Sequence, residues 1–173
     1  LNGDTSGSVI IAAPAVAGST TLTLPTTTST VAFDGPAFSA YQSAAQTLSS
    51  ATFTKIQFQT KEWDTASCFD STTNYRFTPN VAGYYCVSIS LQINNPGTGT
   101  AIAFVYKNGA ETPINGTGAS QSGVIYPSVN CTGLIYLNGS TDYIEAYGMQ
   151  NQGSTYTTRA NGTIFSAFLA RGA

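Results

Sequence analysis

The sequence predicts an all-β protein of antiparallel strands, and three observations support that prediction. Only 8% of the 173 residues are charged, and the remaining polarity comes from Thr, Ser, Gly, Asn and Tyr, which suit sheets and tight turns. Apolar and polar residues alternate strictly from Tyr85 to Ile93, as they do in a strand with one buried face. The Asn-Gly pairs that begin at Asn108 and Asn138 directly follow strand patterns and favour tight hairpin turns.

Strand patterns alternate with turn residues along the chain from Phe33 onward. The predicted strands are residues 53–60, 75–77, 84–93, 101–107, a short segment after Ala110, and residues 132–137, 143–149 and 163–170. Residues 40–50 are ambiguous, but their Ser and Thr content favours a non-helical structure. A chain of this length can bury one core of ordinary size, so we expect these strands to form a single domain.

The first 32 residues differ from the rest of the chain. They contain no aromatic and no basic residue, and the short apolar alternation within them ends at Pro25, so they cannot bury a core by themselves. The apolar stretch of residues 9–17 is interrupted by Pro14 and follows no basic residue, which argues against a signal peptide. We predict an N-terminal stalk or flexible linker, residues 1–33, followed by a globular domain, residues 34–173.

Charge, hydropathy and cysteine content argue against several classes of function. The six Lys and Arg residues are scattered along a chain of net charge −2, which leaves no basic stripe for a nucleic acid. No apolar run approaches the ~20 residues needed to cross a bilayer, so we expect no membrane insertion. Cys68, Cys86 and Cys131 are widely spaced and odd in number, so reduced structural cysteines are favoured over a disulfide.

Catalytic chemistry has little support in the sequence. The chain contains no His, which removes the usual general base of a catalytic triad and the commonest zinc ligand. Two carboxylate pairs, Glu62 with Asp64 and Asp142 with Glu145, are the remaining candidates, for glycoside cleavage. Each pair falls in a strand pattern, where a solvated edge or opposite faces of one strand are the plainer roles. We therefore predict a protein that is not an enzyme and that binds no cofactor and no metal.

A family resemblance begins at the aromatic-Asp pair Phe69 and Asp70. Five residues separate the following Phe77 from Gly83, and one separates Gly83 from Tyr85. This spacing resembles the signature of the complement component 1q globular head, a trimeric jelly roll related to tumour necrosis factor. Further segments that resemble strands of that family are residues 37–40, 101–111 and 133–148. The resemblance implies an antiparallel β-sandwich jelly roll that assembles as a homotrimer and binds partners.

The N-terminal segment, residues 1–33, resembles a segment that recurs in bacteriophage tail-fibre and other virion proteins, where three copies wind together ahead of a globular tip. This resemblance implies a fibre-tip head on the virion surface that binds a host receptor, either a glycan or a protein, and that contacts other virion proteins through this segment. Two alternatives stay open: a structural trimer, as a head fibre or capsid decoration, and a secreted complement-1q-like binding head. Because the sequence begins at Leu1 rather than at Met, we expect it to be part of a longer chain.

The closing strand supplies the candidates for a trimer interface. Its apolar residues fall on both faces, whereas a strand covered on one side needs apolar residues on one face only. We expect one face to fill the sandwich and the other to meet a neighbouring copy. The family resemblance implies that Phe165 and Leu169, with Tyr84 on the adjacent strand, line the threefold axis.

The candidates for receptor contact lie in the predicted long loops. Tight turns are expected at the end where the N-terminal segment enters, and longer connections, residues 94–100, 115–126 and 150–162, at the opposite end. Long polar loops at one end of a scaffold are typical of a recognition surface, and Tyr is over-represented at such surfaces. The predicted contact residues are Tyr126, Gln152, Tyr156 and Arg159.

Overall fold

The computed structural model describes residues 35–94, 96–120, 123 and 125–173. The predicted stalk or linker, residues 1–33, lies outside the described residues and stays a prediction. Thirteen strands make up the regular structure of the described part. They are β1 (Ala37–Tyr41), β2 (Thr47–Leu48), β3 (Thr54–Lys55), β4 (Thr60–Asp64), β5 (Phe69–Asp70), β6 (Arg76–Phe77), β7 (Ala82–Gln92), β8 (Gly99–Lys107), β9 (Ala110–Ser120), β10 (Ser128–Asn138), β11 (Ile144–Gln150), β12 (Tyr156–Thr157) and β13 (Ile164–Gly172). Among these residues there is no helix long and apolar enough to span a membrane.

Two antiparallel sheets contain most of these strands. The first has five strands in the order β10-β7-β13-β1-β4, and the second has six, in the order β5-β6-β11-β8-β9 with β3 paired to β11. A separate two-stranded pair joins β12 and β2. The ladders between named strands are antiparallel, and the crossovers between non-consecutive neighbours are those of a jelly roll. The predicted fold class, an antiparallel β-sandwich, is confirmed.

Alternate residues of the long strands build the core between the sheets. On β7, Val87, Ile89 and Leu91 are buried, while the residues between them are only half-buried. On β8, Ala103 and Val105 are fully buried and face them from the second sheet. The alternation in the sequence therefore marks the inward face of each strand, as a period of two requires.

The complement-1q-like signature consists largely of core residues. The rings of Phe69 and Phe77 both stack on Phe38, with centroids 4.5 and 4.7 Å from that ring, and Tyr85 meets Phe77 edge-on at 5.6 Å. The Tyr85 hydroxyl donates a hydrogen bond to the Val81 carbonyl at 2.7 Å, so its polar group is satisfied in the core. The signature thus encodes packing between the two sheets.

The first and last strands define the two ends of the sandwich. Ala37, at the start of β1, pairs with Phe168 on β13, so the chain enters the domain at the end where the closing strand finishes, which we call the entry end. The Asn108-Gly109 turn lies at this end, and its two residues have φ values of 53° and 78°, as a type I′ hairpin requires. The opposite end, called the distal end, carries the connections between β7 and β8, β9 and β10, and β11 and β13.

The strand predicted over residues 53–60 needs correction. Only the two residues of β3 pair with β11, and β4 begins separately at Thr60. The Ile56 N–H still donates to the Ala146 carbonyl of β11 at 2.9 Å, but no strand is assigned between Lys55 and Thr60. Ile56 and Phe58 in this segment are both fully buried. The apolar pattern of the segment predicted the burial of Ile56 and Phe58 but not the exposure of Phe53, and burial alone does not place a residue in a sheet.

The strand after Ala110 is longer than predicted. It continues to Ser120 as the eleven-residue β9, which includes Asn115 and Gly116 although this Asn-Gly pair has turn composition. The long connection therefore starts after Ser120 instead of at Asn115. Polar, Gly-rich β9 lies at the edge of its sheet, where a strand needs little hydrophobic alternation and its sequence signal is weak.

Candidate recognition surfaces

The outer face of the five-stranded sheet exposes large apolar side chains. Tyr84 on β7, Leu134 and Tyr136 on β10, and Phe168 on β13 are 47%, 64%, 42% and 52% exposed. Pairing brings Tyr84 opposite Tyr136, with ring centroids 5.5 Å apart, and places Cys86 between Leu134 and Phe168. We call Tyr84, Leu134, Tyr136 and Phe168 the outer apolar face. A contiguous exposed apolar surface of this kind is typical of a protein interface.

The predicted trimer-interface residues divide between the two faces of the sheet. Tyr84 belongs to the outer apolar face, but Phe165 is fully buried in the core, where its ring meets Phe38 edge-on at 5.0 Å. Leu169 is half-buried and packs against the core, close to the backbone of Gly35. The full burial of Phe165 corrects the expectation for that residue, whereas the interface role of the partly buried Leu169 stays a prediction. The apolar residues of β13 that face outward are Phe168 and Ile164.

The reason for this correction is the register of the closing strand. Pairing with β7 aligns Phe165 with Ile89 and Phe168 with Cys86. Residues paired across neighbouring strands share a face, and Ile89 points into the core. The sequence shows that both faces of β13 are apolar, but only the partner strand decides which face is inside.

Tyr126 and Arg159 come together at the distal end, although they belong to different connections. The Arg159 guanidinium lies over the Tyr126 ring, 4.0 Å from its centroid, and donates from Nη1 to Gln92 Oε1 at 3.0 Å. The backbone N–H of Arg159 donates to the Gln92 carbonyl at 2.9 Å. Tyr126 is 46% exposed. An aromatic ring and a cation are therefore held together at the surface in a fixed arrangement.

Tyr156 and Gln152 are more enclosed than Tyr126. Tyr156 lies on β12, pairs with Leu48 and is half-buried, and its hydroxyl lies 2.7 Å from where a side chain on Gly97 would begin. The backbone N–H of Gln152 donates to Gln150 Oε1 at 2.8 Å. Both residues pack on the connection between β7 and β8, since Gly97 and the nearby Gly99 leave room for their side chains.

A shallow depression of about 490 Å³ lies at the distal end of the five-stranded sheet. Its lining residues are Tyr41, Glu62, Asn161 and Ile164. Tyr41 and Ile164 are paired across β1 and β13, whereas Glu62 comes from β4 and Asn161 from the connection before β13. The sequence did not indicate this grouping, because the four residues lie in four separate segments.

The carboxylates considered for catalysis have structural contacts. Asp64 accepts hydrogen bonds from the backbone N–H groups of Cys68 and Phe69, both at 3.0 Å. Glu145 is buried and forms an ion pair with Lys55 at 2.7 Å. The described residues hold no cluster of three or more His, Cys, Asp or Glu side chains that could bind a metal ion. These contacts tie both carboxylates to the fold.

Asp142 forms hydrogen bonds with two turns at the entry end. It accepts hydrogen bonds from Asn108 Nδ2 at 2.8 Å and from the backbone N–H of Asn138 at 3.1 Å, and its carboxylate lies 2.8 Å from Lys107 Nζ. The hydrogen bond from Lys107, with those from Asn108 and Asn138, lowers the pKa of Asp142 below its ordinary value. The carboxylate therefore joins the β8–β9 turn to the β10–β11 turn.

No protein-family model and no curated protein matches the sequence. Among solved structures, Eiger TNF from S. frugiperda has a TM-score of 0.62 and 13% identity over 82% of this chain and 96% of its own. Murine APRIL at pH 5.0 has a TM-score of 0.59 and 14% identity over 77% of this chain and 97% of its own. The domain has a tumour necrosis factor-like jelly-roll fold.

Within this jelly roll the three cysteines are free thiols. Cys131 is buried, and burial raises its pKa to about 11. Burial also raises the pKa of Cys68. Cys86 is half-buried on the outer side of the five-stranded sheet, next to the outer apolar face. A high pKa leaves little thiolate near neutral pH, so Cys131 has the character of a small core residue.

Proposed function

We propose that this chain is a non-enzymatic, homotrimeric binding head. The observation that carries the proposal is the outer apolar face, which exposes Tyr84, Leu134, Tyr136 and Phe168 on one side of a sandwich whose core is already filled. Exposing these side chains to water is unfavourable, and three copies arranged around a threefold axis would cover all three faces in a closed assembly. The resemblance to trimeric complement-1q heads supports the same arrangement.

We further propose that the trimer is the tip of a bacteriophage fibre, at the surface of the virion. The resemblance of residues 1–33 to tail-fibre segments supports this assignment. In this proposal the N-terminal segment joins the head to other virion proteins at the entry end. The distal end then points away from the particle and meets a receptor on the host surface.

The proposed receptor contact lies on the distal loops. Tyr126 and Arg159 support it most directly, because their stacked side chains hold an exposed aromatic ring beside a cation. Tyr and Arg are enriched among the residues that dominate binding energy at protein interfaces. Tyr156 and Gln152 would act mainly by holding the connection between β7 and β8 in place.

The test of assembly is the mass of the purified full chain in solution. Light scattering at micromolar concentration is expected to return three times the mass of one chain. A monomer mass would contradict the proposed trimer, and with it the explanation for the outer apolar face.

The test of recognition is adsorption of the trimer to host cells. Tyr126→Ala combined with Tyr156→Ala is expected to reduce adsorption by about tenfold or more, the effect of losing one strong interface residue, with the trimer mass unchanged. Tyr143→Ala, a tyrosine substitution at the entry end, is the control and should adsorb normally. Undiminished adsorption by the double variant would reject the distal-loop contact.

Labelling of intact particles with an antibody to the domain separates the virion roles. Label at the tail tip supports the fibre-tip proposal, and label over the capsid favours a head fibre or decorating trimer. A chain that is not part of any particle would instead fit a secreted binding head.

A further inference from the structure

The depression lined by Tyr41, Glu62, Asn161 and Ile164 has the features of a small-molecule site. Its volume of about 490 Å³ falls within the range of roughly 300 to 1,000 Å³ that is usual for ligand pockets. It combines an aromatic ring and an aliphatic side chain with a carboxylate and an amide. Ligand sites are usually lined by apolar side chains, with a few polar groups that fix the orientation of the ligand.

Glu62 is held in the depression by a local irregularity of the sheet. β4 pairs with β1 at Ser39 through Trp63 and at Ala40 through Lys61, so Glu62 is the extra residue of a β-bulge. Bulges re-aim a side chain and are over-represented beside functional sites. The Ser39 hydroxyl donates to Glu62 Oε2 at 2.9 Å, which orients the carboxylate. An ionised carboxylate has about four acceptor positions, so a ligand can still donate to it.

Asn161 has an unusual backbone conformation for a residue with a side chain. Its φ is 59°, a left-handed conformation that is uncommon outside glycine. The backbone N–H of Asn161 donates to the Gln42 carbonyl at 2.7 Å, which anchors it beside Tyr41. The next residue is Gly162, where any side chain would collide with Gln92 Oε1. The turn therefore presents the Asn161 amide, which offers both donors and an acceptor, at the edge of the depression.

Tyr41 and Ile164 form the apolar part of the depression. They pair directly across β1 and β13, and Ile164 is 40% exposed. A ring and a branched aliphatic side chain next to each other suit the C–H surface of a sugar ring, and the Tyr41 hydroxyl adds a group that can form hydrogen bonds. Glu62 and Asn161 supply polar groups to the same depression.

We propose that this depression is a binding site for a neutral hexopyranose unit of a glycan. Sugar hydroxyls both donate and accept hydrogen bonds, and the pairing of a carboxylate acceptor with an amide that does both matches neighbouring hydroxyls. Among the described residues that line the depression, Glu62 is the only charged one, so its carboxylate would repel an acidic sugar. The inference rests on the proposed recognition function and deepens it by naming the class of receptor.

The position of the depression is compatible with a trimer. Ile164 lies four residues along β13 from Phe168, which corresponds to about 13 Å at ~3.3 Å per residue. The outer apolar face is therefore nearer the entry end, and the depression is at the distal end. Asn161 also shares its turn with Arg159, through the hydrogen bond from the Gly162 N–H to the Arg159 carbonyl at 3.4 Å.

The inference is tested by saturation-transfer NMR on the trimer of the 173-residue chain. The probes are methyl α-D-glucopyranoside, methyl β-D-galactopyranoside and N-acetylglucosamine, each at millimolar concentration, with N-acetylneuraminic acid as an anionic probe and ethanolamine as a cationic one. At least one neutral sugar is expected to bind. Glu62→Gln and Asn161→Gly are each expected to raise its Kd by about tenfold or more, and Asn161→Gly keeps the left-handed backbone accessible.

The matched control is Glu111→Gln, which changes an exposed carboxylate on β9 and should leave Kd unchanged. Failure of all three neutral sugars to bind would overturn the inference. Binding confined to either charged probe, or sugar binding that Glu62→Gln does not weaken, would overturn it as well.

Adsorption and mass measured on the same preparation separate this inference from the proposed function. If the trimer adsorbs to host cells but binds none of the neutral sugars, the binding-head proposal stands and the sugar site is rejected. If the chain binds a sugar through Glu62 but neither trimerises nor adsorbs, the sugar site stands and the proposed function is rejected.

Discussion

At the scale of single residues, neighbouring positions in one strand have unrelated roles. Tyr85 is fully buried and packs on Phe77, whereas Tyr84 is 47% exposed and packs on Tyr136. The two tyrosines have the same chemistry, and only the pleat of the strand separates them. Burial also determines the role of Cys131, whose thiol lies in the core.

We expect Cys131 to resist alkylation in the folded protein. Burial raises its pKa to about 11, so at pH 8 only a small fraction is the reactive thiolate, and the side chain is also screened from reagent. Iodoacetamide at pH 8, followed by peptide mass spectrometry, should label Cys131 slowly in native protein and rapidly in concentrated urea. Equal labelling rates in the two conditions would contradict the buried position.

At the scale of elements, long-range contacts fix strands whose sequence signal is weak. β9 is polar and rich in Gly, yet it pairs along β8 from Gly99 to Lys107. Gly116 on β9 lies directly against the Asn130 backbone of β10, which belongs to the other sheet. Glycine is required there because the two backbones approach too closely for a side chain.

Gly116→Ala should therefore destabilise the fold. The added Cβ would overlap the Asn130 carbonyl and lie 3.2 Å from Cys131 Cβ, so backbone must shift, at a cost of about 1–3 kcal/mol in the free energy of unfolding. Urea unfolding measures this cost. Gly172→Ala is the matched control, because a Cβ at Gly172 meets nothing within 4 Å, and it should be close to neutral. Similar midpoints for Gly116→Ala and wild type would contradict the close approach.

The loop between β5 and β6 depends on one carboxylate. Asp70 accepts hydrogen bonds from the backbone N–H groups of Thr72, Thr73 and Asn74 at 2.9 to 3.0 Å. These bonds hold the pKa of Asp70 well below its ordinary value of 3.8. A carboxyl whose pKa is lower in the folded state stabilises the fold above its unfolded pKa, and this contribution is lost as the pH falls.

We therefore expect the melting temperature to fall as the pH is lowered below about 4. Asp70→Asn should melt lower than wild type at pH 6 but lose less on acidification, so that the two curves converge towards pH 2. Asp142, whose pKa is also lowered, contributes to the decline in melting temperature that remains in Asp70→Asn. Parallel curves for Asp70→Asn and wild type would show that the carboxylate makes no such contribution.

At the scale of the whole molecule, the two faces of the closing strand separate folding from assembly. Phe165 fills the core among Phe38, Phe58 and Phe69, whereas Phe168 is 52% exposed on the outer apolar face. The two residues have identical side chains three positions apart on one strand. Substitutions at these positions therefore form a matched pair.

Phe168→Asp is expected to give a folded monomer, because it places a charge in the proposed trimer interface without touching the core. Phe165→Ala is expected to lower the free energy of unfolding by about 3–5 kcal/mol, the usual cost of removing a buried phenyl ring. Light scattering gives the mass and circular dichroism gives the melting curve. A Phe168→Asp variant that remains a trimer would contradict the assignment of this face to assembly.

Deletion of residues 1–33 should leave the domain folded. The described residues from Phe38 to Ala167 form a hydrophobic core among themselves. The shortened chain is expected to retain β-sheet circular dichroism and a cooperative melt. An unfolded or insoluble product would show that residues 1–33 belong to the domain and that the predicted boundary is misplaced.

The sequence by itself determined the local structure. Strict alternation located β7, the Asn108-Gly109 pair specified a type I′ turn that has the required φ values, and the spacing of Phe69, Phe77 and Tyr85 indicated the jelly roll. These features depend on nearby residues and on a period of two, so one segment contains enough information to predict them. Only a short strand was predicted where the polar edge strand β9 runs for eleven residues, because strand pairing and not hydrophobic alternation stabilises it.

The tertiary structure alone decided which faces are inside and which residues meet. Phe165 and Phe168 could not be assigned to the core and the surface until the register with β7 was known, since a shift of one residue exchanges the two faces. The depression at Tyr41, Glu62, Asn161 and Ile164 joins four segments that are distant in sequence. Such groupings depend on sheet order and on a bulge in β4, and these are properties of the assembled sandwich.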